Sequence, residues 1–140
     1  MLGRATTPAP IEGRDALLLD LDGVVYAGPG AIPHAVESIT RAARQLRVGY
    51  ITNNASRTDE SVAAHLRELG LAVEAADVVT SPQAAVRILA TLVEPGALIL
   101  VVGGDGLVSE VEAAGVRVTR SAEDHPAAVI QGFAPHVGWE

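Results

Sequence analysis

Two aspartates one residue apart are the first side chains of the sequence that could do chemistry. Asp20 and Asp22 follow the apolar run 17–19, and Gly23 comes directly after them. Residues i and i+2 of a strand point to the same side, so both carboxylates should project at the carboxyl end of a buried strand. Two carboxylates in that position repel each other unless a cation lies between them. The pair therefore predicts a metal-assisted carboxylate site.

A second polar motif follows the next apolar run, about thirty residues further along. Thr52, Asn53, Asn54 and Ser56 come after a predicted strand over 48–51. Hydroxyls, side-chain amides and free backbone N–H groups near the start of a helix donate to an anion, so the motif predicts a phosphate site. The same residue types also form ordinary helix caps. Adjacent parallel strands would place both motifs at one edge of a sheet, which favours the functional interpretation.

Other kinds of site fit the sequence poorly. A calcium loop needs oxygen ligands at alternate positions, and Val24 and Tyr26 occupy those positions after the aspartates. The glycines of 103–106 lack the third glycine of a dinucleotide-binding turn, so a tight turn is expected there. The four histidines have no ligand spacing, and His65 is expected on the solvated face of a helix. No zinc or iron site is predicted.

Composition narrows the choice of function further. The 140 residues are 49% hydrophobic, so there is enough apolar material for a core. The net charge is −7 without a basic patch, which argues against nucleic acid or an anionic membrane as partner. No cysteine is present, residues 1–13 lack the apolar segment of a signal peptide, and the longest apolar runs are too short to span a bilayer. A cytoplasmic location is expected.

All ten basic residues are arginine, and lysine is absent from the sequence. The chain by itself therefore cannot supply the lysine of a P-loop NTPase, a Schiff-base enzyme or a two-component receiver domain. The residue usage, rich in alanine, arginine, glycine and valine, suggests a GC-rich bacterial genome.

Strands and helices are expected to alternate along the chain. Apolar runs predict strands over 15–20, 48–51, 77–80, 97–102, 116–119 and 127–131, with amphipathic helices between most of them. Ser56 or Thr58 is expected to cap the second helix, and Ser81, followed by Pro82, the third. This order predicts an α/β fold with a mainly parallel sheet.

With these motifs, the sequence resembles the haloacid dehalogenase (HAD) superfamily. It is most similar to the branch that includes NagD, 4-nitrophenylphosphatase and the phosphoglycolate and glycerol-phosphate phosphatases. The resemblance rests on the segment 18–26, which contains Asp-x-Asp-Gly-Val, and on Thr-Asn-Asn at 52–54. The segments 80–85, 101–107 and 126–132 also follow the branch's pattern. The resemblance implies a Rossmann-like parallel sheet followed by an inserted α/β cap domain.

The resemblance implies a Mg²⁺-dependent phosphatase that hydrolyses a small phosphorylated metabolite through an aspartyl-phosphate intermediate. Asp20 would be the nucleophile, and Asp22 would protonate the leaving group and then deprotonate the hydrolytic water. Mg²⁺ would be held by the Asp20 carboxylate and the backbone carbonyl of Asp22. The phosphoryl group would be bound by four residues of the two motifs: Gly23, Thr52, Asn53 and Asn54.

The superfamily also has a third-motif lysine and a fourth-motif acidic pair, and neither is in this sequence. We therefore expect the first part of the core over 14–83 and the beginning of an incomplete cap over 84–140. Residues 1–13 show no periodic pattern and are expected to be a flexible tail. Such a chain would be a truncated fragment with little or no activity. Relatives often dimerise through the cap, so a homo-oligomer is a further expectation. The alternative left open is a non-catalytic α/β module that binds phosphate, a nucleotide or a protein partner.

Overall fold

The structure is a computed structural model that describes residues 10–133. The eight strands of this part are β1 (Ala16–Asp20), β2 (Tyr26–Ala27), β3 (Gly30–Ala31), β4 (Arg47–Thr52), β5 (Val78–Thr80), β6 (Leu98–Val102), β7 (Arg117–Thr119) and β8 (Ala128–Gln131). The four α-helices are α1 (Ala35–Ala42), α2 (Asp59–Glu68), α3 (Ser81–Leu89) and α4 (Asp105–Ala113). None of the helices in this part of the chain is long and apolar enough to cross a membrane.

The first sheet is parallel, with the strand order β1-β4-β5. Both crossovers, through α1 and α2, run in the same direction along the sheet. Because such connections are right-handed, both helices lie on one face. That face carries the main core, in which Tyr50 of β4 and Val78 of β5 pack with Ile39 of α1 and Leu66 of α2.

The opposite face of this sheet is apolar and exposed. Leu18 is 69% exposed, and Ile51 and Val79 are 41% and 42% exposed. Parallel sheets usually have both faces covered. Within residues 10–133, helices cover only one of the two.

The second sheet is also parallel, with the order β7-β6-β8. Its central strand β6 provides the fully buried Ile99 and Val101, which pack with Leu107 of α4 and Leu89 of α3. The predicted α/β fold with parallel sheets is therefore confirmed. The six predicted strands agree with the structure to within one residue at every end, since each is a short apolar run between turns.

Two local features differ from the expectations. The antiparallel hairpin of β2 and β3 was not predicted, because two-residue strands are too short to show a period. The cap of α3 is Thr80 rather than Ser81: the Thr80 side chain accepts the Gln83 N–H, and the Gln83 side chain accepts the Thr80 N–H. The cap of α2 is Thr58, one of the two residues expected.

The expected domain limits remain a prediction. Residues 1–9 of the expected tail and 134–140 of the expected cap lie outside the described residues. Helix α3 spans the expected boundary between 83 and 84. It begins directly after β5 of the first sheet, and its Val86 and Leu89 pack in the core of the second sheet.

The first turn of α4 lies against the loop that precedes α2. A Cβ placed on Gly106 would be 3.2 Å from backbone atoms of Ser56 and Arg57. That distance is shorter than most Cβ contacts in proteins, and the neighbouring atoms are backbone, so the close approach favours a glycine. The glycine-rich turn at 103–106, which sequence alone assigned no function, thus brings α4 against this loop.

Gly106→Ala should lower the free energy of unfolding by on the order of 1 kcal/mol, because the added methyl group forces two backbone segments apart. Helix propensity alone gives the opposite sign, since Ala is favoured over Gly in a helix by about 1 kcal/mol. Urea denaturation measures the change, with Gly30→Ala as the control, since nothing lies within 4 Å of that site. A gain in stability from Gly106→Ala would contradict the close approach.

Helix α4 also places Glu110 beside the acidic start of α2. Burial raises the pKa of Glu110, the Asp59 carboxylate raises it further, and a hydrogen bond with Gln83 lowers it. The folded protein therefore binds this proton more tightly than the unfolded chain, so ionised Glu110 destabilises the fold as the pH rises through its folded pKa.

Glu110→Gln should therefore increase stability near pH 8, where the native carboxylate is charged. The gain should disappear below the ordinary glutamate pKa of about 4.3, where both states are protonated. Thermal unfolding at both pH values tests this, with exposed Glu112→Gln on the same helix as the control. An equal gain at both pH values would show that ionisation of Glu110 is not the cause.

Candidate active site

The carboxylate pair lies at the end of β1 and in the tight turn that follows. Asp20 is the last residue of β1, and its Oδ1 accepts the Leu21 N–H at 2.8 Å. Leu21 is fully buried, whereas Asp20 and Asp22 are exposed on either side of it. Gly23 has φ 78°, and its N–H donates to the Tyr26 carbonyl at 2.8 Å. That N–H is used by the turn, and the role of Gly23 in phosphate binding stays a prediction.

The loop after β4 is shaped by its own hydrogen bonds. Thr52 is buried, and its Oγ1 accepts the Asn54 N–H at 3.1 Å. The Asn54 Oδ1 accepts both the N–H and the hydroxyl of Ser56, at 2.9 and 2.7 Å. Two backbone N–H groups expected to be free for an anion are therefore engaged within the loop. The hydroxyl hydrogen of Thr52 remains able to donate, because its oxygen acts here only as an acceptor.

Two cavities at this edge bring the residues of both motifs together. Asp20, Thr52 and Asn53 border a cavity of about 530 Å³, which also reaches the end of β5. Asp22, Asn53 and Asn54 border a second cavity of about 330 Å³. Asn53 borders both, so the two aspartates face neighbouring spaces that share one wall.

A third cavity, of about 300 Å³, also borders Asp22 and brings charged side chains close to Tyr26. Asp22, Tyr26, Asn54, Arg57 and His65 all border it. Burial raises the pKa of the Tyr26 hydroxyl and the charge of Asp22 raises it further, whereas the Arg57 guanidinium lowers it and the charge of Asp20 raises it. Two negative charges and one positive charge thus act on a single phenol, which places all three groups in one neighbourhood.

The expected position of His65 was wrong. Its side chain is only 18% exposed and meets the Tyr26 ring edge to face, with 4.9 Å between ring centroids. Its Nε2 is buried without a hydrogen-bond partner among the described residues. The helical pattern could not show this, because Tyr26 comes from a hairpin that the sequence did not predict.

Sequence reasoning missed two further residues of the site. Arg57 lies within the polar stretch 56–61 that follows Thr-Asn-Asn, and a cation next to a phosphate motif was a usable signal. Ser81 borders the same cavity as Asp20, and its hydroxyl donates to the Asn53 carbonyl at 3.0 Å. Its place at the end of a third parallel strand could have indicated this, but the residue was interpreted as a helix cap.

The residues present fit part of a divalent-cation site. Asp20 and Asp22 supply carboxylate and carbonyl oxygens, which are the donors that Mg²⁺ and Ca²⁺ prefer. In the stretch 10–133, no three His, Cys, Asp or Glu side chains are grouped so that they could hold a metal ion. The described residues therefore offer an incomplete ligand set, whose remaining positions would need other donors.

Charge substitutions should move the pKa of Tyr26 in opposite directions. Asp22→Asn removes a nearby negative charge and should lower it, and Arg57→Gln should raise it. NMR titration of ¹³Cζ-labelled tyrosine measures this and separates Tyr26 from Tyr50. Asp15→Asn, an exposed carboxylate before β1, is the control and should change nothing. Equal pKa values in all variants would mean that these charges are not near Tyr26.

Comparison with known proteins identifies the family to which the chain belongs. The family model described as haloacid dehalogenase-like hydrolase matches residues 17–117. The D-glycerol 3-phosphate phosphatase of Mycobacterium tuberculosis is 47% identical over 128 residues, which cover 91% of this chain and 36% of that protein. The chain thus spans about a third of the length of this relative.

Solved structures give the same result. Glycerol phosphate phosphatase from Mycobacterium tuberculosis superposes with a TM-score of 0.82 in its calcium complex and 0.80 in its magnesium complex. Each is 46% identical and is matched over 89% of this chain and 37% of the other. NagD from E. coli superposes with a TM-score of 0.75 at 27% identity, over 89% of this chain and 48% of its own. The expected resemblance is confirmed, and the chain belongs to the haloacid dehalogenase-like hydrolases.

Proposed function

We propose that this chain carries the nucleophile and part of the phosphate-binding site of a phosphatase acting on small phosphate monoesters. The observation that supports this most strongly is the placement of Asp20, Thr52 and Asn53 around one cavity at the carboxyl ends of parallel strands. Asp22 borders the neighbouring cavity. Ligands of open α/β sheets bind at that edge. A carboxylate nucleophile beside hydroxyl and amide donors is suited to phosphoryl transfer.

In the proposed reaction, an oxygen of Asp20 attacks phosphorus and the ester P–O bond breaks, so an acyl phosphate forms on Asp20. Asp22 donates its proton to the departing alkoxide. It then takes a proton from the water that attacks the acyl phosphate, which releases inorganic phosphate and restores Asp20. The Thr52 hydroxyl and the Asn53 amide hold the phosphoryl oxygens on which negative charge develops.

A divalent cation, which we propose to be Mg²⁺, would bind the Asp20 carboxylate and the Asp22 carbonyl oxygen. It would offset the repulsion between the carboxylates and a phosphate dianion. The crystal structures of the Mycobacterium tuberculosis relative with magnesium and with calcium support a divalent cation.

The substrate we propose is a small phosphorylated metabolite, such as a polyol phosphate. The relative that is 47% identical is a D-glycerol 3-phosphate phosphatase, and the net charge of −7 disfavours nucleic acid.

A hybrid enzyme tests the catalytic assignment without relying on the ends of this chain. The chain replaces the matching 128-residue segment of the Mycobacterium tuberculosis phosphatase, which supplies everything outside the match. We expect glycerol 3-phosphate hydrolysis in the presence of Mg²⁺. Asp20→Asn should reduce kcat by at least about a thousandfold, because it removes the nucleophile.

The matched control is Asp15→Asn, which removes an exposed carboxylate five residues earlier and should leave kcat unchanged. A folded, active hybrid whose kcat survives Asp20→Asn would refute the assignment of the nucleophile.

A further inference from the structure

The phosphate loop, defined here as residues 53–58 between β4 and α2, is held at both ends by the first turn of α3. At its start, the Ser81 hydroxyl donates to the Asn53 carbonyl oxygen at 3.0 Å. Just past its end, the Gln83 Nε2 donates to the Asp59 Oδ2 at 2.9 Å. These bonds connect residues 28 and 24 positions apart, so they are tertiary contacts and not features of a local turn.

The turn that holds the loop is itself fixed. Thr80 is only 1% exposed, lies opposite Thr52 in the sheet and caps α3. The Gln83 side chain uses both ends of its amide: Oε1 accepts the Thr80 N–H at 3.1 Å, and Nε2 holds Asp59. A side chain bound at both ends has little rotational freedom left, so the first turn of α3 is a firm support.

The Ser81 contact bears directly on the group expected to bind phosphate. The Asn53 carbonyl and the Asn54 N–H belong to one planar peptide unit. Ser81 holds the carbonyl, and the N–H on the opposite side donates to the Thr52 Oγ1 at 3.1 Å. The orientation of this peptide plane therefore decides whether the Thr52 Oγ1 accepts the Asn54 N–H. When Oγ1 acts as the acceptor, the hydroxyl hydrogen of Thr52 is available to an anion.

We propose that Ser81 and Gln83 are positioning residues for phosphate binding, acting through the Asn53–Asn54 peptide and through Asp59. This inference rests on the proposed function, since it assumes that the loop and Thr52 bind phosphate. Neither residue needs to contact the substrate. A purely structural role would make them matter for stability alone.

The first test measures inorganic phosphate binding to the 140-residue chain in Mg²⁺ buffer by ¹H–¹⁵N NMR titration. Ser81→Ala should raise the Kd about three- to tenfold, as expected for the loss of one hydrogen bond. It should also speed hydrogen exchange of the Asn54 amide. Ser81→Thr, which keeps the hydroxyl, should restore both values, and Ser38→Ala on the exposed face of α1 is the control for losing a helical serine.

Three outcomes overturn the inference. If Thr52→Val weakens binding and Ser81→Ala does not, the proposed function stands and the positioning role is refuted. If Ser81→Thr binds as weakly as Ser81→Ala, the hydroxyl is not the group that matters. If the unmodified chain binds no phosphate, the proposed binding site fails and this inference fails with it.

The Gln83 contact has an independent test from the loop side. Asp59→Asn keeps an oxygen acceptor for Gln83, whereas Asp59→Ala removes it. We expect Asp59→Ala to weaken phosphate binding roughly threefold or more and Asp59→Asn to weaken it less. Both variants retain the Thr58 cap of α2, so the helix should still form. Equal affinities of the two variants would refute the role of Gln83.

Discussion

The site depends on the register of three parallel strands. Asp20 lies opposite Ile51 in the pairing of β1 with β4, and Thr52 lies opposite Thr80 in the pairing of β4 with β5. Side chains alternate between faces, so a slip of one residue would turn Tyr50 out of the core and Ile51 into it. Exposing a buried side chain of that size costs about 2 kcal/mol or more. The core therefore fixes the register, and the register brings the polar strand ends together.

The charged side chains at the carboxyl edge of the first sheet favour a bound cation. Among residues 10–133, the charges of Asp22, Arg57 and Asp20 all act on Tyr26. A phosphate dianion approaching two carboxylates and one guanidinium meets net repulsion. The loop offsets this only in part, since the N–H groups of Asn54 and Ser56 are already engaged. A divalent cation bound to the aspartates would supply the missing positive charge.

The sequence predicted the strands and the two motifs because those signals are local. A buried strand is recognised in the sequence as an apolar run, and the polar residues that follow the run mark the end of the strand. The expectation for His65 failed because it depended on a distant contact. His65 is largely covered where it packs against Tyr26, which lies 39 positions away on a hairpin with two-residue strands. The error at the cap of α3 was local, since Thr80 and Gln83 form a capping box of the T-x-x-Q type that the sequence contains.

Direct contacts, in addition to the continuous chain, connect the helices of the second sheet with the phosphate loop. Helix α3 holds both ends of the phosphate loop through its first turn, while Val86 and Leu89 further along the same helix pack in the second core. Gly106 of α4 meets the middle of the loop backbone. A displacement of the second sheet would therefore act on the Asn53–Asn54 peptide, and through it on the Thr52 hydroxyl. The glycine-rich turn at 103–106 lacks a dinucleotide fingerprint but has a physical explanation. It allows α4, which packs on the second sheet, to contact the phosphate loop that follows the first sheet.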